Sequence, residues 1–186
     1  MRIYIKNMVS LRCKMIVEAE LKRLKIKHAV VELGEVDIMQ PLSDSKRYLL
    51  KTVLQLSGLE LMDDKKAILV ERIKSIIIEM VHYSDELPRE MFSSFLTAKL
   101  HHNYSFLSNL FSEVKGTTIE QFIILHRIER VKELILYNEL NLTQIADKMH
   151  YSSVAHLSNQ FKKVTGLTPS FFKSLKNKRR TVLESL

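Results

Sequence analysis

Two segments of the sequence repeat the same residue types at a fixed interval. Residues 106–122 and 156–172 share eight identities at one constant offset, which are Leu107 and Leu157, Ser108 and Ser158, Asn109 and Asn159, Phe111 and Phe161, Val114 and Val164, Gly116 and Gly166, Thr118 and Thr168, and Phe122 and Phe172. Amide and small side chains of this kind can meet base edges and thymine methyl groups in a DNA major groove. A repeat at a fixed period indicates one supersecondary unit that is used twice.

Each repeat contributes to a pair of helices that the spacing of apolar residues predicts. The predicted buried stripes are Leu96, Leu100, Leu107 and Phe111 in the first pair, and Leu142, Ile145, Ala146, Met149, Leu157, Phe161 and Val164 in the second. The opposite faces carry small and polar residues, and standing alone such a face usually indicates plain solvent-exposed surface. Because the face is repeated beside a basic segment, we expect these faces to read DNA.

The positive charge of the chain is concentrated near the second repeat. The net charge is +8, and residues 141–183 contain eight basic residues against one acidic residue. This charge favours a polyanionic partner. We expect phosphate contacts from Arg127, Ser152, Lys162, Lys163 and Lys173. A long helix predicted over 119–137 would hold the two pairs in successive major grooves, roughly one helical turn apart.

The first sixty residues have a different pattern. Apolar patterns predict short strands at 2–6, 29–33, 35–39 and 59–62, with the second and third joined as a hairpin at Gly34. Helical stripes lie between the first and second strands and between the third and fourth, which gives the order β-α-β-β-α-β. This order predicts a ferredoxin-like domain over residues 1–63. Residues 64–186 are predicted to form an all-α domain of seven helices with two helix-turn-helix units. The fold class expected is therefore α+β.

Four segments in order, 107–122, 127–134, 142–146 and 157–172, closely resemble the DNA-binding domain of the AraC/XylS family of bacterial transcription regulators. The resemblance covers about residues 65–176. It implies a sequence-specific transcription regulator that binds double-stranded DNA, with RNA polymerase as a further partner. It also implies that the third helix of each unit reads the groove. The base-reading residues that the resemblance implies are Tyr104, Ser105 and Asn109 in the first unit and Val154, Ala155 and Asn159 in the second.

The chain departs from that family at its turns and at two reading positions. Histidine stands where glycine is common in the family, at His101, His102 and His150. Asn109 and Asn159 stand where an arginine often contacts guanine, and this departure favours contacts with adenine.

The loop over residues 7–13 resembles the Met-x-Cys-x-x-Cys loop of heavy-metal-associated domains, although Ser10 replaces the first ligand. Three interpretations of Cys13 stay open. It is a packed cysteine of a domain that has lost its metal, a ligand for a soft ion such as Cu(I) or Zn(II) shared between two chains or with Met8, or a redox sensor. The alternative function is therefore a metal-responsive regulator or metal carrier. We expect the N-terminal domain to form a homodimer, to sense a signal or to contact another protein.

Several classes of protein are disfavoured by composition and motif content. A single cysteine excludes an intramolecular disulfide framework, and no apolar run of about eighteen residues is present, so we expect a soluble cytoplasmic protein that binds no membrane. No nucleophile with a paired base, phosphate-binding glycine loop or catalytic carboxylate pair is recognisable, and the sequence therefore predicts no enzyme. Apart from the soft ion considered for Cys13, no cofactor is expected.

Overall fold

The computed structural model describes residues 1–84, 92–175 and 183. The chain divides into two compact units, Met1–Ile77 and Ile78–Leu186. The first unit contains a sheet and the second consists of helices. Within the described residues, none of the helices combines the length and the apolar character that a bilayer crossing requires.

The first unit has the element order that the apolar pattern predicted. Its elements are β1 (Arg2–Lys6), α1 (Leu11–Arg23), β2 (His28–Glu32), β3 (Glu35–Ile38), α2 (Asp44–Leu56), β4 (Glu60–Met62) and α3 (Lys65–Ile78). The strands pair antiparallel in the order β2-β3-β1-β4. The two central strands are thus separated in sequence by α1 and β2, so this sheet depends on long-range pairing.

One face of the sheet is buried and the other is charged. The buried side chains alternate along the strands and meet apolar residues of α1 and α2, namely Ile3, Ile5, Val36, Ile38, Val17, Leu21, Leu50 and Leu54. On the opposite face Arg2 forms ion pairs with Glu35 at 3.0 Å and with Asp37 at 2.8 Å. This division is typical of an antiparallel sheet that is covered on one side.

The boundary between the units lies later than the sequence predicted. The prediction placed it after residue 63, whereas α3 groups almost entirely with the first unit. Two contacts explain the difference. Arg72 forms an ion pair with Glu35 at 3.3 Å, and Ser75 lies so close to Gly34 that a Cβ added at Gly34 would be 2.5 Å from its Oγ. Both contacts tie α3 to the hairpin, and neither leaves a local pattern in the sequence.

The second unit is a helical bundle built around one long helix. Its described elements are a π-helical turn (Glu79–Tyr83), α4 (Phe92–Leu100), α5 (Tyr104–Lys115), α6 (Ile119–Tyr137), α7 (Leu142–Lys148), α8 (Val154–Thr165) and α9 (Pro169–Ser174). The central helix α6 packs against α5, α7, α8 and α9. It buries a stripe that includes Phe122, Ile128 and Val131. Met91 and the basic residues Lys176, Lys178, Arg179 and Arg180, which entered the predictions, lie outside the described residues.

Candidate nucleic-acid interface

Helices α4 and α5 form the first helix pair. Its apolar contacts are the predicted ones, since Leu96, Leu100, Leu107 and Phe111 are all buried. The turn passes through His101, which has a left-handed φ of 56°. Asn103 then begins α5 as its N-cap, because its side chain accepts a hydrogen bond from the Phe106 N–H at 2.8 Å.

Helices α7 and α8 form the second helix pair on the same plan. Asn141 and Gln144 make a reciprocal capping box at the start of α7. The turn passes through His150, which has a left-handed φ of 53°. Ser153 begins α8 by accepting a hydrogen bond from the His156 N–H at 3.0 Å. Both turn histidines therefore occupy the backbone region that favours glycine, which accounts for glycine being common there in the resembled family.

The two pairs also end alike. Gly116 follows α5 at φ 68° and Gly166 follows α8 at φ 77°. Thr118 and Thr168 then cap the next helices. The rings of Phe111 and Phe122 lie 5.5 Å apart at 61°, and those of Phe161 and Phe172 lie 5.6 Å apart at 61°. The repeat in the sequence is thus a repeat in capping and in ring packing.

The residues expected to read bases lie on the outer side of α5 and α8. Ser105, Asn109, Ala155 and Asn159 are exposed, and Tyr104 and Val154 are half-buried. The structure therefore brings them together as two short faces, one on each second helix. Neither asparagine is enclosed by the bundle, so both amides are available to a ligand.

Tyr104 has a partner that the sequence did not indicate. Its hydroxyl donates a hydrogen bond to Oε1 of Glu120, at the start of α6. Burial and this hydrogen bond raise the pKa of Tyr104, and the same hydrogen bond lowers the pKa of Glu120. With its proton committed to Glu120, the Tyr104 oxygen is left to accept a hydrogen bond, and the amino groups of adenine and cytosine are suitable donors.

Four of the five residues expected to contact phosphate are exposed. They are Ser152 in the turn, Lys162 and Lys163 in the last turn of α8, and Lys173 in α9. The Ser152 Oγ lies 3.0 Å from Nδ1 of His156. By contrast, the first pair contains only Lys99 and Lys115 as basic residues between residues 92 and 118. The second pair and α9 together carry four lysines, since Lys148 lies in α7.

Arg127, which the sequence assigned to the phosphate contacts, has partners within the protein. This side chain turns inward from α6, and its Nη2 donates a hydrogen bond to the Met149 carbonyl at the end of α7. Its guanidinium carbon lies 4.3 Å from the ring centroid of Tyr151. Burial lowers the pKa of Arg127. Because its Nε is buried and its Nη2 is bound to the Met149 carbonyl, we do not count Arg127 among the proposed phosphate contacts.

Sequence reasoning missed Tyr151 as a structural residue of the turn. It is 6% exposed, and its hydroxyl donates to Oε1 of Gln160 at 2.6 Å. The signal available in the sequence was an aromatic residue in an otherwise polar turn. That signal indicates burial, but it does not identify Arg127 as the residue that covers the ring.

Cys13 lies in the first turn of α1 and is buried. Its Sγ is 3.2 Å from Oγ of Ser10, which is also the N-cap of α1. Across the part of the chain that the structure describes, no group of three or more His, Cys, Asp or Glu residues could hold a metal ion. The local geometry is that of a packed thiol next to a helix cap.

Comparison with known proteins agrees with this geometry. Residues 96–174 match the sequence model of a helix-turn-helix domain. The uncharacterized HTH-type transcriptional regulator YtdP of Bacillus subtilis (strain 168) is 24% identical over 106 residues, which are 57% of this chain and 14% of that protein. The probable transcriptional regulator LumQ of Photobacterium leiognathi is 26% identical over 133 residues, which are 72% of this chain and 50% of that protein. The chain thus spans half or less of the length of these relatives.

A solved structure supports the fold of the helical part. The C-terminal domain of AraT, a response regulator from Geobacillus stearothermophilus, has a TM-score of 0.51 and 21% identity, covering 64% of this chain and 92% of that one. At this identity the likeness shows the fold alone. Together with the matched domain, these relatives support DNA-binding transcription regulation as the function of the helix-turn-helix region.

Proposed function

We propose that the protein is a sequence-specific transcription regulator that reads two successive major grooves. In this proposal each helix pair is a helix-turn-helix unit, and α5 and α8 are the reading helices. The observation that carries it is the paired geometry. The second helix of each pair begins with a side-chain N-cap, ends at a left-handed glycine and has the same ring packing. Each also presents a small polar face that includes Asn109 in α5 and Asn159 in α8.

The length of α6 supports this arrangement. Its 19 residues correspond to about 28 Å of helix at 1.5 Å per residue. Successive major grooves on one face of B-DNA repeat every ~34 Å. A rigid helix of this length is a suitable spacer between two reading helices, so a single chain would recognise a two-part site without a two-fold partner.

The charge distribution suggests different contributions from the two helix-turn-helix units. Lys162 and Lys163 lie in the last turn of the second reading helix and Lys173 lies in α9, and we assign the main phosphate contacts to them together with Ser152. The first unit has few charges and contributes base contacts from Tyr104, Ser105 and Asn109. Val154, Ala155 and Asn159 make the corresponding base contacts in the second unit.

A selection from random DNA tests the proposal. The full-length protein is incubated with a library of duplexes that contain about 30 randomised base pairs, at about 150 mM KCl. We expect enrichment of a site with two conserved segments about 10 base pairs apart, bound more tightly than a shuffled duplex of the same composition. Failure to enrich any sequence over several rounds would refute sequence-specific binding.

For the first unit we propose a ferredoxin-like domain that mediates contacts of the regulator, with a second copy as the first partner to test. The support is the β-α-β-β-α-β order and the exposed apolar side chains of its helices, which are Leu11, Met15, Tyr48, Leu49 and Leu56. Sedimentation of the full chain and of a Leu56→Glu variant tests it. A dimer that the substitution dissociates is expected, and a wild-type monomer at high concentration would contradict it. RNA polymerase is the further partner proposed for the DNA-bound protein.

The metal-responsive alternative is tested by uptake of Cu(I) or Zn(II). The wild-type chain and a Cys13→Ser variant are each equilibrated with the ion, and the bound metal is measured. Equal uptake by both would remove Cys13 from any metal site. Uptake by the wild type alone would instead favour a soft ion held through the thiol.

A further inference from the structure

A cluster of five residues joins α6, the turn and α8 in the second helix pair. We call it the Tyr151 junction, and it consists of Arg127, Met149, Tyr151, His156 and Gln160. The Arg127 guanidinium covers the Tyr151 ring at 4.3 Å and donates to the Met149 carbonyl. On the α8 side, the His156 ring meets the Tyr151 ring edge-on, with 5.2 Å between the ring centroids. Oε1 of Gln160 accepts a hydrogen bond from the Tyr151 hydroxyl at 2.6 Å.

The junction adds to the buried side chains Leu157 and Phe161 in setting the rotation of α8 about its own axis. His156 and Gln160 are four residues apart and so lie on one face of the helix. Ala155 and Asn159 each precede one of them by one residue, which is a rotation of about 100° around the helix. Once His156 and Gln160 are held against Tyr151, the direction of Ala155 and Asn159 follows.

Among the described residues, the turn of the first helix pair makes no such connection to α6, to which that pair is linked instead by the hydrogen bond between Tyr104 of α5 and Glu120. There the corresponding turn residue is His102, which is exposed and stacks on Phe106 with 5.2 Å between ring centroids. No arginine covers that ring among the contacts of the described residues. The Tyr151 junction is therefore an additional constraint that belongs to the second pair.

We propose that Arg127 is a positioning residue for base reading by α8. Through Tyr151 and the Met149 carbonyl it sets the angle at which Ala155 and Asn159 meet DNA, and it does not touch DNA itself. This inference rests on the proposed function. The planar guanidinium can stack on an aromatic face and donate a hydrogen bond at the same time, whereas a lysine ammonium cannot reproduce both contacts.

The test separates positioning from phosphate contact by two readouts. The probes are the duplex enriched by the wild-type protein and a shuffled duplex, and affinities are measured by fluorescence anisotropy over a range of KCl concentrations. The variants are Arg127→Met and Arg127→Lys. The matched control is Arg130→Met, another α6 arginine, which pairs with Glu133 at 2.6 Å.

A positioning role predicts that Arg127→Met lowers the preference for the enriched duplex by about tenfold, the loss expected for one base contact. The slope of log affinity against log salt should stay the same on shuffled DNA. Arg127→Lys should fail to restore the preference, and Arg130→Met should retain it. Tyr151→Phe is a milder variant, because its ring stays packed and only the hydrogen bond to Gln160 is lost. It should reduce the preference for the enriched duplex by about threefold.

Other results would overturn the inference. A slope that is shallower by about 0.9 with the preference retained would make Arg127 a phosphate contact. A normal sequence preference in Arg127→Lys would likewise indicate a phosphate contact. An unchanged preference in both Arg127→Met and Tyr151→Phe would show that the junction has no role in base reading. If the wild type itself shows no preference, the proposed sequence-specific binding is refuted. If the wild type shows a preference that the variants retain, only the positioning role of Arg127 is refuted.

Discussion

The two lysines in the last turn of α8 provide a quantitative test of the phosphate contacts. Lys162 and Lys163 are both exposed. Each phosphate that a protein neutralises contributes about 0.9 to the slope of log affinity against log salt. If each lysine contacts one phosphate, Lys162→Ala plus Lys163→Ala should make the slope shallower by about 1.8.

The expected loss of affinity follows from that slope. If the affinities converge at about 1 M salt, the double variant should bind about 60-fold more weakly at 0.1 M. When the salt concentration rises from 50 to 200 mM, the fold-loss of affinity should be about 12 times larger for the wild type than for the variant. The preference for the enriched duplex over the shuffled one should be retained, because phosphate contacts carry no base information directly.

Anisotropy titrations on both duplexes at four or more salt concentrations measure these quantities. The matched control is Lys51→Ala plus Lys65→Ala, at two exposed lysines of the first unit. It changes the net charge by the same amount as the α8 variant. An unchanged slope in the α8 variant would refute the assignment. The same loss of slope in the control would show that overall charge, and not the position of the lysines, determines binding.

Three further predictions concern stability, each measured by urea denaturation of the full chain. Tyr104→Phe should destabilise the protein by less than about 1 kcal/mol at pH 7, because the contact is largely exposed. Since the Tyr104 hydrogen bond lowers the pKa of Glu120, its contribution is present at neutral pH and is lost as the carboxylate protonates, so the difference between the two proteins should shrink as the pH falls below about 4.3, the ordinary pKa of Glu. A difference that stays constant at low pH would contradict this. Gly34→Ala should cost about 1–2 kcal/mol, because φ is 84° and the new Cβ would meet Ser75 Oγ at 2.5 Å, and Ser75→Ala in the same chain should restore part of the loss. His150→Val should cost about 1–3 kcal/mol because φ is 53°, whereas His150→Gly should be tolerated, and equal stability of the two would argue against the left-handed turn.

Local features of the sequence predicted the elements well. Spacing of apolar residues predicted a helix over 119–137, and α6 has those bounds. The order of strands and helices in the first unit also agrees with the one expected from the apolar pattern. These features depend on periodicity and capping within a few residues, which a single sequence displays directly.

Contacts between distant residues account for what the sequence did not show. Arg127 lies 22 residues from Met149, and no local pattern marks an arginine that will turn inward. The position of α3 depends on Arg72 and Ser75 meeting the β2–β3 hairpin. The bond between Tyr104 and Glu120 spans 16 residues across a turn. Each depends on how elements pack, and packing is decided by the whole fold.

One measurement tests most directly whether two separate helices read the DNA. Base preferences are determined by library selection for the wild type, Asn109→Ala and Asn159→Ala under identical conditions. Each variant should lose preference in one segment of the site only, and the two affected segments should lie about 10 base pairs apart. Loss of preference at the same position in both variants, or uniform weakening on every sequence, would contradict reading by α5 and α8 in successive grooves.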